Sequence, residues 1–194
     1  MISRALTGAF EWLYPLRFFA AVVTLLFFRR KYAGLFPLDW RIDWFGPAIG
    51  IVVFALWIGL DRFVSPGTEA MPSPLAMTTP LARNSWLICR VIAAVVTVPV
   101  AEELAFRGFL YRRALAADFE AISLRQFSWF ALLVSSVIFG ALHGSRWVGG
   151  TVAGGLYAII MLRRGHIGDA IAAHATTNAL IAVYVLAFDQ WQLW

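Results

Sequence analysis

Pro99–Arg113 reads PVAEELAFRGFLYRR, two adjacent glutamates and an arginine in the continuation of the apolar run WLICRVIAAVVTV. Glu103 and Arg107 stand four residues apart with the carboxylate N-terminal to the cation, the favourable order for an ion pair along a helix. Glu102 lies about 100° round the same helix, so it faces elsewhere and has no helical cation of its own. The spacing predicts one paired, structural glutamate and one free for chemistry. FGALHG places His143 four residues after Phe139, flanked by Gly140 and Gly144 at a small-xxx-small spacing that lets a neighbouring helix come close. HATTN sets His174 and Asn178 at i,i+4, so both point the same way. GGTVAGGLYA repeats the small spacing at Gly150 and Gly154, which predicts tight packing.

Three reaction logics use Glu, His, His and Asn. A desolvated glutamate, helped by a histidine, can take a proton from water, while the second histidine and the amide donate hydrogen bonds to the oxyanion that forms on a carbonyl. Alternatively Glu102, His143 and His174 could be zinc ligands with an open position for water, although no HExxH brings them onto one helix. A proton or ion relay in a carrier is the third. Cys89 lies well upstream of these groups and no GxSxG is present, so nucleophilic catalysis has no strong candidate.

The elements that must position these groups are apolar throughout. Of 194 residues, 61% are hydrophobic and 14% charged, against about one quarter charged in soluble domains. Such a chain cannot cover its surface with polar groups, so lipid is the implied solvent. The formal charge of +5 then reports topology rather than nucleic-acid binding. A single cysteine rules out an intrachain disulfide and a cysteine-based metal cluster. The start, MISRALTGAFEWLYPLRFF, lacks a small-residue cleavage site and reads as a first membrane helix rather than a signal peptide.

Six apolar segments are expected: Leu13–Phe28, Phe45–Leu60, Trp86–Leu115, Phe127–Gly149, Gly150–Leu162 and Gly168–Phe188. The third would reach about 45 Å at ~1.5 Å per residue and must tilt or leave the lipid. Pro99, three residues before Glu102, predicts a bend there. A loop with prolines 66, 72, 74 and 80 spans Asp61–Asn84, dividing residues 1–60 (two N-terminal transmembrane helices) and the Pro-rich loop 61–85 from a four-helix catalytic unit over 86–194. Arg29, Arg30, Lys31, Arg41, Arg112, Arg113, Arg125, Arg163 and Arg164 fall on one side of this walk; Arg4, Arg62, Arg83 and Arg146 fall on the other. That bias predicts the first group cytoplasmic and both termini outside. Arg17 and Arg90, near helix ends, are expected to snorkel. For the histidines to meet, the fourth segment must run to about Gly149 and the sixth begin near Gly168, moving each imidazole about 9 Å inward.

Taken singly, these residues have plainer readings. The Glu103–Arg107 pair and Asn178 can be interhelical glue, the glycine-rich segment packing, and the terminal WQLW an interfacial belt. His166 is expected to be solvated and Asp169 to cap the last helix. Two carboxylates, two histidines and an amide on three spans favour a site jointly.

EELAFRG (Glu102–Gly108), FGALH (Phe139–His143) and HATTN (His174–Asn178) resemble the EExxxR, FxxxH and HxxxN motifs of the CPBP intramembrane proteases. That family includes CAAX prenyl endopeptidases and bacteriocin-processing and self-immunity proteins, with a bacterial branch linked to exosortase-type sorting. The resemblance covers about Val98–Ala187. It implies that Glu102 activates water with help from His143, that Glu103 and Arg107 support it, and that His174 and Asn178 stabilise an oxyanion. It also implies a glutamate- or metal-dependent hydrolase; no cofactor is expected, and zinc is the alternative.

The expectation is therefore an all-α polytopic transmembrane bundle of about six spans with a four-helix C-terminal catalytic unit. As an integral, multi-pass protein, suited to a bacterial cytoplasmic membrane, it would cleave a membrane-associated peptide or lipidated protein. Its partners would be membrane lipid and that substrate, not nucleic acid. The rivals are a non-proteolytic immunity or scaffold factor and a proton-coupled carrier. A carrier would usually show two related halves, which are not visible here. The residues assign neither a substrate nor an oligomeric state.

Overall fold

The structure, a computed structural model, describes residues 11–34, 39–64 and 69–194. Arg4 and Pro66, both used in the sequence reading, lie outside them. The described fold is all-α. Helix α1 runs Tyr14–Gly34 and α2 runs Phe45–Val64. After a single turn at Ser73–Ala76 comes α3, Pro80–Ile92, opened by Thr79, whose hydroxyl accepts from the Ala82 N–H, with proline in the first turn. The chain then continues through a π-helical turn π1 (Ala93–Thr97), helix α4 (Val98–Glu103) and a second π segment π2 (Leu104–Tyr111). Helices α5 (Trp129–Ala141), α6 (Trp147–Arg164) and α7 (Ile167–Phe188) complete the bundle.

The expected six membrane spans are not what forms. Among the described residues, α2 and α7 alone are long and apolar enough to cross a membrane. Helix α1 has the length but carries Arg17, Arg29, Arg30 and Lys31; α5 has 13 residues; α6 is rich in glycine and ends in two arginines. The third segment is no single tilted rod, since both π segments divide it. The Lys/Arg count presumed six crossings, so the orientation drawn from it falls with them. The expected loop is also shorter, because α2 continues to Val64 and α3 starts at Pro80.

Several residues expected at the surface are engaged. Arg112 is fully buried and donates to the carbonyls of Ile122, Glu120 and Gly108. Arg146 pairs with Asp61; Arg17 bonds Glu11 but stays half exposed, as its place near a helix end led one to expect. His166 is not solvated: its Nδ1 lies 3.2 Å from Asp169 and its Nε2 3.5 Å from Asp39. Asp169 does not cap α7 but is buried, accepting from the Asp43 N–H at 2.7 Å. In the terminal WQLW, Trp191 is buried rather than part of an interfacial belt, and Trp194 is half-buried at the wall of a cavity.

Packing explains how the bundle closes on its polar groups. Helix α2 lies on α7 through Gly46 and Gly50; a Cβ on Gly46 would fall 2.8 Å from the Asp169 carbonyl oxygen. Thr177 of α7 donates to the Gly50 carbonyl at 2.9 Å. Helices α5 and α6 meet at Gly140, Gly150 and Gly154. Gly144 takes no part in that packing: a Cβ there would meet open space, and its φ of 62° makes the turn between the helices. Large apolar side chains face outward on several helices, among them Phe27, Phe63, Trp129 and Phe188. With α2 and α7, they fit association with a membrane.

Candidate active site

The local register of the α3–α4 stretch begins with Pro99. Proline has no N–H, so it can serve neither the usual nor the widened helical register. The Val98 N–H bonds the Ala93 carbonyl, five residues back. The carbonyl of Ala94 would look to Val98 or Pro99 and is orphaned by both. Asn178 of α7 takes it, its Nδ2 donating at 2.8 Å. One amide hydrogen thus ties α7 to the π turn, and the other remains available.

Glu103 is fully buried between two helices. Its Oε1 accepts from Arg107 Nη1 at 3.1 Å, and Oε2 lies 3.1 Å from Nε. Arg107 also donates to the Gly154 carbonyl at 2.8 Å and stacks over the Phe139 ring. The same Glu103 oxygen accepts from His174 Nδ1 at 2.9 Å. Glu103 therefore holds an imidazole as well as the arginine, a link the sequence reading did not include.

That bond leaves His174 Nε2 free, 3.9 Å from Glu102 Oε2. Tyr157 stacks on the imidazole with centroids 4.9 Å apart and planes 16° apart. Glu102 keeps 31% of its side chain exposed, yet its Oε2 is buried without a hydrogen-bond partner. Helix α5 ends at Ala141 rather than running to Gly149, so His143 sits in the turn beyond it. Its Nδ1 donates to the Phe139 carbonyl at 2.9 Å, which leaves Nε2 free. Burial beside Trp57 and Phe139 pushes the His143 pKa down, so the ring is neutral at pH 7.

Glu102, His143, His174 and Asn178 line one cavity of about 500 Å³, with Tyr157, Trp57 and Arg90. Arg90 does not snorkel; its guanidinium lies 4.1 Å from the Tyr14 ring centroid. The sequence reading missed Tyr157 and Trp57. Tyr157 stands three residues after Gly154, on the face that glycine opens to α5, and that spacing was available as a signal.

Glu102, His143 and His174 have the donor chemistry of a zinc site, and each histidine has its Nδ1 held as a ligand's would be. Among the described residues, however, no three His, Cys, Asp or Glu groups are placed to hold a metal ion together. No step below is routed through a metal.

The family model for Type II CAAX prenyl endopeptidase Rce1-like proteins matches residues 84–180, half of the chain. The chain belongs to this family. No curated protein and no solved structure matches it. The span matched to the Rce1-like family contains Glu102, Glu103, Arg107, His143, His174 and Asn178. Helix α2 lies outside that span yet supplies Trp57 to the cavity. The buried Glu–His pairs of this Rce1-like chain form a polar cluster of the kind hydrolases use.

Proposed function

We propose that this Rce1-like chain is a membrane-embedded endopeptidase that hydrolyses a peptide bond of a membrane-associated substrate, lipidated substrates included. One observation carries the reading: the orphan Glu102 Oε2 faces His174 Nε2 across 3.9 Å at the wall of the cavity. A gap of that size between two polar atoms suits a bridging water.

Glu102 takes one proton from that water as its oxygen attacks the scissile carbonyl carbon. His143, neutral and with Nε2 free, accepts the water's second hydrogen in a hydrogen bond and orients it. To donate from Nε2 to the developing tetrahedral oxyanion, His174 must carry a hydrogen on both ring nitrogens, and Glu103, accepting from Nδ1, is placed to hold that form. The remaining amide hydrogen of Asn178 is a second donor. Glu102 then passes its proton to the leaving amine as the C–N bond breaks, giving a carboxylic acid and an amine.

Replacing Glu102 by Ala tests the reading against an immunity or scaffold role. An endopeptidase loses turnover of its membrane substrate while folding normally; a phenotype that survives Glu102→Ala would refute it. Metal analysis of the purified protein and turnover in chelator decide between water activated by glutamate alone and water activated on zinc.

A further inference from the structure

Trp57, on α2 and outside the span matched to the family, stands between two hollows. One is the cavity that holds Glu102 and His174. The other is a pocket of about 250 Å³ lined by Leu60, Phe63, Val64 and Val148, and Trp57 and Arg146 line both. On the cavity side the indole meets the His143 ring at 70°, with centroids 5.4 Å apart. On the pocket side it covers Gly149, where an added Cβ would meet the indole first, at 3.4 Å. The two halves of this wall are held differently. Arg146 is fixed by its pairing with Asp61 and by a hydrogen bond to the Gln192 carbonyl at 2.7 Å. Trp57 is held by packing, since its Nε1 is buried with no hydrogen-bond partner among the described residues. The smaller hollow falls short of the roughly 300–1,000 Å³ typical of a ligand site, so it is an annex that the indole shuts off from the cavity.

We propose that Trp57 determines specificity: its indole limits the size of the substrate side chain beside the scissile bond, admitting small residues there and refusing large aromatic ones. This rests on the peptidase reading above. In that reading His143 orients the attacking water, so the residues flanking the scissile bond pass against the ring that Trp57 touches. A bulky side chain at that point needs the space the indole fills. Extra volume forced into a packed wall drives side chains off their rotamers, so such a substrate is bound poorly or out of register. The annex behind the wall has room for a large side chain once the indole is gone.

The test uses the full chain in phosphatidylcholine nanodiscs and an internally quenched alanine-rich decapeptide, with Phe placed at each of the four central positions in turn. Mass spectrometry places the cut. Each Phe peptide is compared with its parent on the same enzyme, so that slower turnover from a loosened His143 cancels in the ratio of kcat/KM values. In the wild type, Phe beside the cut is expected to cost about tenfold or more in kcat/KM, or to shift the cut away from itself. Trp57→Ala should remove most of that penalty, and Trp57→Phe should fall between. Gly149→Leu added to Trp57→Ala grows a side chain into the vacated space and should bring the penalty back. A wild type indifferent to Phe overturns the proposal and leaves the peptidase reading standing, as does a penalty that Trp57→Ala does not relieve. Should Trp57→Ala fail to fold, the penalty in Trp57→Phe against that of the wild type decides. If no peptide is cut, the peptidase reading fails. Calorimetric affinities for the same peptides then decide the wall: a Phe penalty relieved by Trp57→Ala sustains it, and equal affinities overturn it.

Discussion

On one side of the helix interrupted by π turns, Glu103 is enclosed by Arg107 and His174 with no exposure at all. On the other, Glu102 opens on a cavity of about 500 Å³ and keeps one oxygen unpaired. The two carboxylates share a sequence neighbourhood and a helix, so composition cannot distinguish them. What differs is partner count. A buried carboxylate with two cationic or hydrogen-bonding partners is a fixed element of packing; one with an orphan oxygen in a cavity is available to a proton. The comparison predicts that substitutions on the Glu102 side cost activity and those on the Glu103 side cost stability.

Glu102→Gln gives the sharpest break. It keeps volume and polarity but removes the base, and turnover should fall about 10²–10⁴-fold. The melting temperature should stay near that of the wild type, because Glu102 has no hydrogen-bonded partner at Oε2 to lose. Full turnover by this variant would erase the distinction. Glu103→Ala is the mirror case. It strands Arg107 at 1% exposure and frees His174 Nδ1, at a cost of about 3–5 kcal/mol. Purified yield and thermal unfolding in detergent measure it, and an unchanged yield would remove the structural role.

Gly150→Ala probes the boundary between the two sides. A Cβ there would lie 2.8 Å from His143 Nδ1 and 2.9 Å from Gly140 Cα, so the imidazole must move off the Phe139 carbonyl and α5 must back away from α6. A misplacement near 1 Å can cost about 10²-fold in rate. kcat is expected to drop together with the melting temperature, and an unchanged kcat would take His143 out of the reaction.

The comparison also bears on what the sequence could reveal. The i,i+4 spacing of Glu103 and Arg107 is local, and the ion pair it predicts forms. His174 on Glu103 is a contact across 71 residues, which spacing cannot reach. The all-α content followed from the apolar runs, but the number of membrane spans did not. An apolar run reads the same whether it faces lipid or other helices. In α5, Ala131, Leu132 and Phe139 are consumed by packing, and 13 residues are too few to cross. Helical periodicity also does not register a π turn, so Pro99 marked a bend in the third segment but the two π segments went unseen. Arg90 and Trp57 were illegible as cavity residues because helices far apart in sequence build the cavity walls.

Pro99 offers the finest test, since its missing N–H and the Asn178 amide are two halves of one arrangement. Asn178→Ala leaves the Ala94 carbonyl without a donor inside the bundle, at an expected cost of about 1–3 kcal/mol. Pro99→Ala returns an N–H at the position from which a widened register can reach that carbonyl. If the orphan is what Asn178 answers, the cost of Asn178→Ala should shrink in the Pro99→Ala background, a coupling of about 0.5–3 kcal/mol. Thermal unfolding of the four proteins in the cycle measures it. Strict additivity would mean that Asn178 does not stabilise the chain through the Ala94 carbonyl, leaving its role to the cavity alone. Coupling in stability, with turnover in Pro99→Ala near that of the wild type, would place the tie on the Glu103 side of the comparison even though Asn178 lines the Glu102 cavity.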